Sequence, residues 1–135
     1  MNNPAMYLRF AGAILLLFLT TYPAFCQTEN DCRKFRTGQY ETFDAIGERS
    51  VISRTKKYQL ESTSGRERRL RILWIDDCTY KLIPAEVYKR TGEKTNLYMT
   101  ITIDQIYDYG YSGRCTIGNA PEFVDIMMYN YEYVK

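Results

Sequence analysis

The sequence predicts an all-β, single-domain protein whose antiparallel strands form a meander and close into a small barrel. Thirteen of the 135 residues are tyrosine, and Ile, Val and Thr are clustered. Such residues favour strands, and no stretch keeps helical apolar spacing for three turns. Turn-forming residues recur at short intervals along the chain. A two-sheet β-sandwich is the alternative arrangement of the same strands.

The turn signals divide the chain into eight predicted strands. Glycine-containing turns are expected at 45–47, 64–66, 91–93, 109–110 and 118–121. Because the connections are short, neighbouring strands should pair antiparallel. The predicted strands are 38–44, 49–55, 57–62, 68–75, 78–84, 85–90, 96–107 and 122–134, with a further short piece at 113–117.

Alternation along two strands indicates which side chains point inward. Leu70, Ile72 and Trp74 share one face of their strand, opposite charged neighbours, and Ile101 and Ile103 share a face of another. A sheet with one buried face shows this period of two. These five residues are therefore the candidate lining of a ligand cavity. Trp74 is expected in the core, with its indole N–H bonded to a backbone carbonyl or a tyrosine hydroxyl.

The N-terminus predicts export. Arg9 precedes the apolar run FAGAILLLFLTTYPAF, which is shorter than the roughly 20 residues of a spanning helix. This order is typical of a signal peptide over 1–26, with Ala24 at position −3 of the cleavage site, and leaves one domain over 27–135. We therefore expect a periplasmic or extracellular protein whose mature chain has no transmembrane span. Lipid anchoring at Cys26 is the alternative, although Phe25 stands where lipoprotein signals have a small residue.

Composition excludes several functions. The net charge of +2 gives no field that would attract nucleic acid. Histidine is absent, which removes the commonest general base and metal ligand. Asp76 and Asp77 are adjacent and would point to opposite faces, while Asp104 and Asp108 would lie roughly 13 Å apart. We therefore expect no catalytic residues, no metal, no cofactor and no enzymatic activity.

The cysteines predict a disulfide. Cys32, Cys78 and Cys115 are too widely spaced, without histidine, for a zinc site. In an exported chain distant cysteines usually pair. Cys32–Cys78 is favoured because it ties the N-terminal segment to a strand end, but three pairings remain open if Cys26 is removed with the leader.

Two sets of side chains are candidate partner surfaces. Three tyrosines cluster around a glycine turn: Tyr107, Tyr109 and Tyr111. Their rings are stiff and amphipathic, which suits the recognition of a protein partner. Basic residues fall in adjacent predicted strands and would form one patch for an anionic partner; they are Arg54, Lys56, Lys57, Arg66, Arg68, Arg69 and Arg71. Alternatively, the tyrosine rings cap the end of the barrel, and the basic side chains are a solvated edge whose charge protects against aggregation.

Two short motifs resemble known families. Thr37-Gly38-Gln39-Tyr40, a strand ending in Arg54, and Trp74-Ile75-Asp76-Asp77-Cys78-Thr79-Tyr80 resemble a group of small exported proteins from Bacteroidetes-type bacteria that has no assigned activity. Gly38-x-Tyr40 is also similar to the Gly-x-Trp that opens the first strand of lipocalins. The resemblance implies a lipocalin-like barrel.

A lipocalin-like barrel implies a binding protein. The expected function is non-catalytic binding of a small apolar or amphipathic ligand in the interior. The alternative is a protein–protein interaction or envelope-structural module that uses an outer sheet face. A hollow interior would favour the first function, and an interior filled by Trp74 and tyrosines the second.

Overall fold

The structure, a computed structural model, describes residues 31–133, with the side chain of Tyr133 left out. The leader, Cys26 and the chain as far as residue 30 lie outside the described residues. Eight antiparallel strands, each paired with the next, form a closed barrel as predicted. They are β1 (Gly38–Phe43), β2 (Arg49–Arg54), β3 (Tyr58–Thr63), β4 (Arg66–Trp74), β5 (Thr79–Pro84), β6 (Met99–Tyr107), β7 (Gly110–Ile117) and β8 (Phe123–Asn130).

Three helical segments accompany the strands. A 3-10 helix, Cys32–Arg36, precedes β1, and another, Tyr131–Tyr133, follows β8. An α-helix, α1 (Ala85–Thr91), connects β5 to the loop before β6. No described helix is long and apolar enough to cross a membrane.

The prediction of a strand at 85–90 was wrong. Ala, Glu, Lys and Arg are good helix formers, and a Glu86–Lys89 ion pair at 2.9 Å joins one turn of α1 to the next. The helix ends at Gly92, whose φ of 59° suits a residue without a side chain. Several strand limits also differ. The piece at 113–117 belongs to the longer β7, β6 begins at Met99 rather than 96, and the last strand ends at Asn130 rather than 134.

The two ends of the barrel differ. At the end that we call the plugged end, the N-terminal 3-10 helix inserts Phe35, which is 2% exposed and packs 4.7 Å from the ring of Tyr111. The turns β2–β3, β4–β5 and β6–β7 lie at this end. The other end, which we call the mouth, carries the turns β1–β2, β3–β4 and β7–β8 together with α1. Access to the interior is therefore from the mouth.

The predicted Cys32–Cys78 disulfide is present and anchors the 3-10 helix that closes the plugged end. The Cα atoms of the two residues are 5.1 Å apart, and Cys115 is a free thiol. The bond ties the N-terminal 3-10 helix to the connection between β4 and β5. Disulfides of this kind are typical of chains that fold in oxidising compartments.

Gly38 explains why glycine opens the Gly-x-Tyr motif. A Cβ atom at this position would lie 2.8 Å from the hydroxyl oxygen of Tyr40, and the φ of Gly38 is 134°. The Tyr40 hydroxyl uses this space to donate a hydrogen bond of 2.7 Å to the carbonyl of Thr37. The motif thus fixes a buried ring at the plugged end.

The barrel is closed by a short seam between the first and last strands. The β1–β8 ladder contains two residue pairs, Tyr40 with Asn130 and Glu41 with Tyr129. Nearer the mouth, the hydroxyl of Thr42 donates to the carbonyl of Met127 at 2.8 Å. By contrast, β6 and β7 are paired along most of their length.

Candidate functional site

A buried guanidinium organises the plugged end of the interior. Arg54, at the end of β2, is 3% exposed. Its Nε donates to Gln59 Oε1 at 2.9 Å and its Nη1 to the carbonyl of Phe35 at 2.9 Å. Its Nη2 donates to the hydroxyls of Tyr80 at 3.0 Å and Tyr111 at 3.2 Å. Four chain segments therefore meet at one side chain.

The partners of Arg54 are neutral groups rather than a carboxylate. Burial opposes the charged guanidinium, but the hydroxyls of Tyr80 and Tyr111 more than offset this and raise the pKa of Arg54. The guanidinium carbon also lies 4.7 Å from the ring centroid of Tyr80 and 5.1 Å from that of Tyr40, within cation–π range. Arg54 is thus a permanently charged anchor for the aromatic core.

The same packing raises the pKa values of two tyrosines. Burial raises the pKa of Tyr40 to about 12, and Arg54 counteracts only part of this shift. Burial, followed by the neighbouring Tyr111, raises the pKa of Tyr80 well above its usual value.

Alkaline pH should therefore unfold the protein. A tyrosine ionises near pH 10 in the unfolded chain. Because the folded state holds its proton more tightly, the stability that these tyrosines contribute is complete below pH 10 and is lost as the pH rises towards 12. We expect the urea midpoint to fall over this range, together with tyrosinate absorbance near 295 nm. A midpoint that stays constant to pH 12 would contradict the buried network.

Polar contacts continue from Arg54 along the wall towards the mouth. Gln59 Nε2 donates to Glu61 Oε1 at 2.8 Å. Glu61 Oε2 accepts from Arg68 Nε at 3.1 Å and from its Nη2 at 2.5 Å. These side chains point inward from the adjacent strands β2, β3 and β4, and we call Arg54, Gln59, Glu61 and Arg68 the polar wall.

An interior cavity of about 130 Å³ lies beside the polar wall. Gln59, Glu61 and Arg68 form its polar side, and the free thiol of Cys115 faces it. Burial, and then the Glu61 carboxylate, raise the pKa of the Cys115 thiol, so it is protonated at neutral pH. The remaining lining is mostly apolar: Thr42, Ile52, Tyr80, Leu82, Met99, Ile101, Ile126 and Met128.

A second cavity of about 280 Å³ occupies the mouth. It shares Arg68, Leu82 and Met99 with the interior cavity, so these three side chains lie between the two spaces, and we call them the neck. Its rim includes Leu97 and Ile117, which are 64% and 63% exposed. The other lining residues are Leu70, Pro84, Asn96 and Tyr98. The mostly apolar mouth cavity therefore lies next to the polar wall, with the neck between the mouth and the interior cavity.

Comparisons of the chain with protein families, with curated proteins and with solved structures find no match. The geometry of the barrel is therefore the basis for a functional interpretation. Within residues 31–133 no group of three or more acidic or cysteine side chains is arranged to hold a metal ion.

The structure separates the five residues predicted to line a cavity. Leu70 lines the mouth cavity and Ile101 the interior cavity. Ile72 and Ile103 are buried in the core but line neither space.

Trp74 lies at the opposite end of the barrel from the mouth. Half-buried, it packs 4.7 Å from the ring of Tyr80. Its indole nitrogen is buried and has no acceptor in the described part of the chain, so the prediction of a carbonyl or tyrosine acceptor was wrong.

The predicted tyrosine surface is only partly a surface. Tyr107 and Tyr109 stack on the outside with ring centroids 5.1 Å apart. Tyr111 is fully buried, because alternation along β7 turns it into the barrel against Arg54. The prediction of a partner surface was therefore wrong for Tyr111.

The predicted basic patch is likewise divided between two faces. Arg54 points into the barrel. Arg68 lines the mouth and interior cavities with a side chain that is 58% exposed, and Arg66 is exposed at the mouth end of β4. Arg69 and Arg71 point outward and cover the ring of Tyr58. Their guanidinium carbons lie 4.0 and 5.3 Å from its ring centroid. The prediction of one patch was wrong because strand alternation sends neighbouring side chains to opposite faces.

Sequence reasoning missed the polar wall. The signal was present in the pattern, since Gln59 and Glu61 alternate with exposed Leu60 and so share the inward face of β3. A polar pair at inward positions of a barrel strand needs hydrogen-bond partners, which implies a network. The identity of these hydrogen-bond partners cannot be read from β3 itself, because they lie on other strands.

Proposed function

We propose that the protein binds one slim apolar or amphipathic molecule, without catalysis, through the mouth of the barrel. The proximity of the two cavities, which share three lining side chains, supports this proposal. Ligand sites usually measure about 300–1,000 Å³. The interior cavity of about 130 Å³ is too small alone, so the ligand would also occupy the mouth cavity of about 280 Å³ and displace side chains of the neck.

The lining suggests how such a ligand would lie. An apolar chain would contact Leu70, Leu97 and Ile117 in the mouth and pass Met99 at the neck. A polar end would reach Glu61 and Arg68, which already pair with each other and offer both a donor and an acceptor. A narrow neck favours a linear molecule over a bulky ring system.

Blocking the neck should abolish binding. Met99→Trp would enlarge the side chain that lies between the two cavities. We expect affinity for single-chain amphiphiles to fall at least about tenfold, since two lost CH₂ contacts already amount to about 1.5 kcal/mol. Native mass spectrometry of the mature protein would first identify any carried ligand. Calorimetric titration with neutral and charged amphiphiles would then give the affinities.

Met127→Trp is the matched control, because Met127 lies on β8 and lines neither the interior cavity nor the mouth cavity. Equal binding by the wild type and Met99→Trp, with the neck variant folded, would refute the interior as the site.

Export and family membership belong to the same proposal. We infer removal of the leader and action outside the cytoplasm, which the disulfide supports. Similarity to small exported lipocalin-like proteins is supported by the barrel and by Gly38 and Tyr40 at the start of β1.

One observation supports the alternative, an interaction module. Aromatic rings follow one another across the outer face, with centroids 5.1 Å apart for Tyr107–Tyr109, 6.1 Å for Tyr109–Tyr129 and 6.1 Å for Phe43–Tyr129. Tyr109 and Phe43 are 39% and 43% exposed. An oligomer without a carried small molecule in the native mass spectrum would favour this function.

A further inference from the structure

A second depression lies outside the barrel, at the plugged end. It has a volume of about 460 Å³ and is lined by Arg33, Arg36, Thr37, Lys56 and Trp74. We call it the basic groove. Three of its five lining side chains are cations, whereas the mouth cavity on the opposite end is mainly apolar. The groove therefore has a chemistry of its own.

The disulfide builds the basic groove. Cys32 begins the 3-10 helix that carries Arg33 and Arg36, and Cys78 follows the strand end that carries Trp74. The bond brings these elements together, so that the guanidinium of Arg36 lies 5.2 Å from the ring centroid of Trp74. The charges are thus held against a fixed aromatic wall.

Two hydrogen-bond donors of residues that line the groove are unsatisfied. Arg36 Nε and Trp74 Nε1 are buried and have no acceptor within residues 31–133. A buried donor without a partner is unfavourable, and such groups are normally satisfied by protein, water or ligand. Both groups are donors, and because they are buried an acceptor oxygen in the groove would reach them only if the Arg36 and Trp74 side chains shift on binding.

We propose that the basic groove binds an oxyanion ligand carrying phosphate or sulfate groups. Such groups are negatively charged and offer several acceptor oxygens, which matches cations and unmet N–H groups together. At about 30 Å³ per water-sized oxygen, the groove exceeds the space of one four-oxygen anion. A ligand with two anionic groups therefore fits best.

The present partners of the arginines do not prevent this binding. Arg36 Nη2 pairs with Asp77 at 2.9 Å, and Arg33 Nε with Asp31 at 2.8 Å. The Arg33 and Asp77 side chains are 60% and 65% exposed, and exposed ion pairs of this kind contribute little stability. A dianionic ligand would replace the carboxylates at small cost and would also contact Lys56.

Trp74, the only tryptophan, reports directly on the groove. We would titrate the mature, oxidised protein with pyrophosphate and, separately, with a sulfated disaccharide, each against sodium chloride of equal ionic strength. Fluorescence would follow Trp74 and calorimetry would give an independent affinity. Saturable binding of pyrophosphate alone would assign phosphate ligands, of the disaccharide alone sulfated sugars, and of both a general oxyanion site.

Lys56→Gln tests the position of the site. The variant removes one exposed charge from the groove, and we expect affinity to fall about tenfold, as for one charge-assisted hydrogen bond. Lys94→Gln, the same change in the loop between α1 and β6, should leave affinity unchanged. The proposal is overturned if neither probe saturates, if sodium chloride produces the same signal, or if Lys94→Gln weakens binding as much as Lys56→Gln.

Discussion

Arg54→Met is expected to lower the free energy of unfolding by about 3–5 kcal/mol, because several buried acceptors lose their donor at once. Methionine can fill much of the volume but cannot donate hydrogen bonds. Gln59 Oε1, the carbonyl of Phe35 and the hydroxyl pair of Tyr80 and Tyr111 would lose their common donor. Each buried acceptor left unmet costs about 1–3 kcal/mol.

Urea unfolding followed by far-UV circular dichroism measures the effect. Arg66→Met is the matched control, because Arg66 is exposed at the start of β4 and such changes usually stay within about 0.5 kcal/mol. Arg54→Lys keeps the charge without the planar set of donors and should also be destabilising. A loss below 1 kcal/mol for Arg54→Met would mean that the tyrosines and Gln59 hold the plugged end without it.

The second large effect is expected from the disulfide. Cys78→Ala, or the double variant with Cys32→Ala, should lower the free energy of unfolding by about 4 kcal/mol. In the chain-entropy model this is the cost of opening a loop whose ends are 46 residues apart. The loss should be local at first, because the bond anchors the 3-10 helix that inserts Phe35 into the barrel.

Cys115→Ala provides the comparison. It removes a half-buried thiol that closes no loop, so its cost should be much smaller. Peptide mapping without reduction should find Cys32 joined to Cys78 in the wild type. A map that joins Cys32 to Cys115, or equal destabilisation by Cys78→Ala and Cys115→Ala, would contradict the assignment.

The sequence predicts the strands well because their signal is local. Alternation of Leu70 and Ile72 with Arg69 and Arg71 fixes the inward face of β4, and the structure confirms that face. The sequence does not reveal the helix α1, because seven residues are too few to display helical periodicity.

The polar wall and its anchor were missed for a different reason. A charged residue in a strand is usually exposed, although alternation places Arg54 on the same face as the apolar Ile52. Its hydroxyl partners, Tyr80 and Tyr111, follow it by 26 and 57 residues. Only the closure of the barrel brings them together, so a network of this kind cannot be derived from local pattern.

The short seam between β1 and β8 has a consequence for the order of folding. Tyr40 and Asn130 are roughly 90 residues apart, whereas every other pair of neighbouring strands is adjacent in sequence. Joining such distant segments has the largest loop-closure entropy cost in the described domain. Only two residue pairs of β-ladder form between β1 and β8 to offset that cost. We expect the meander from β1 to β8 to assemble first as a curled open sheet, because each of its neighbouring strand pairs, including β1–β2, is local in sequence. Docking of the first strand onto the last is then the final event of folding and the earliest to reverse.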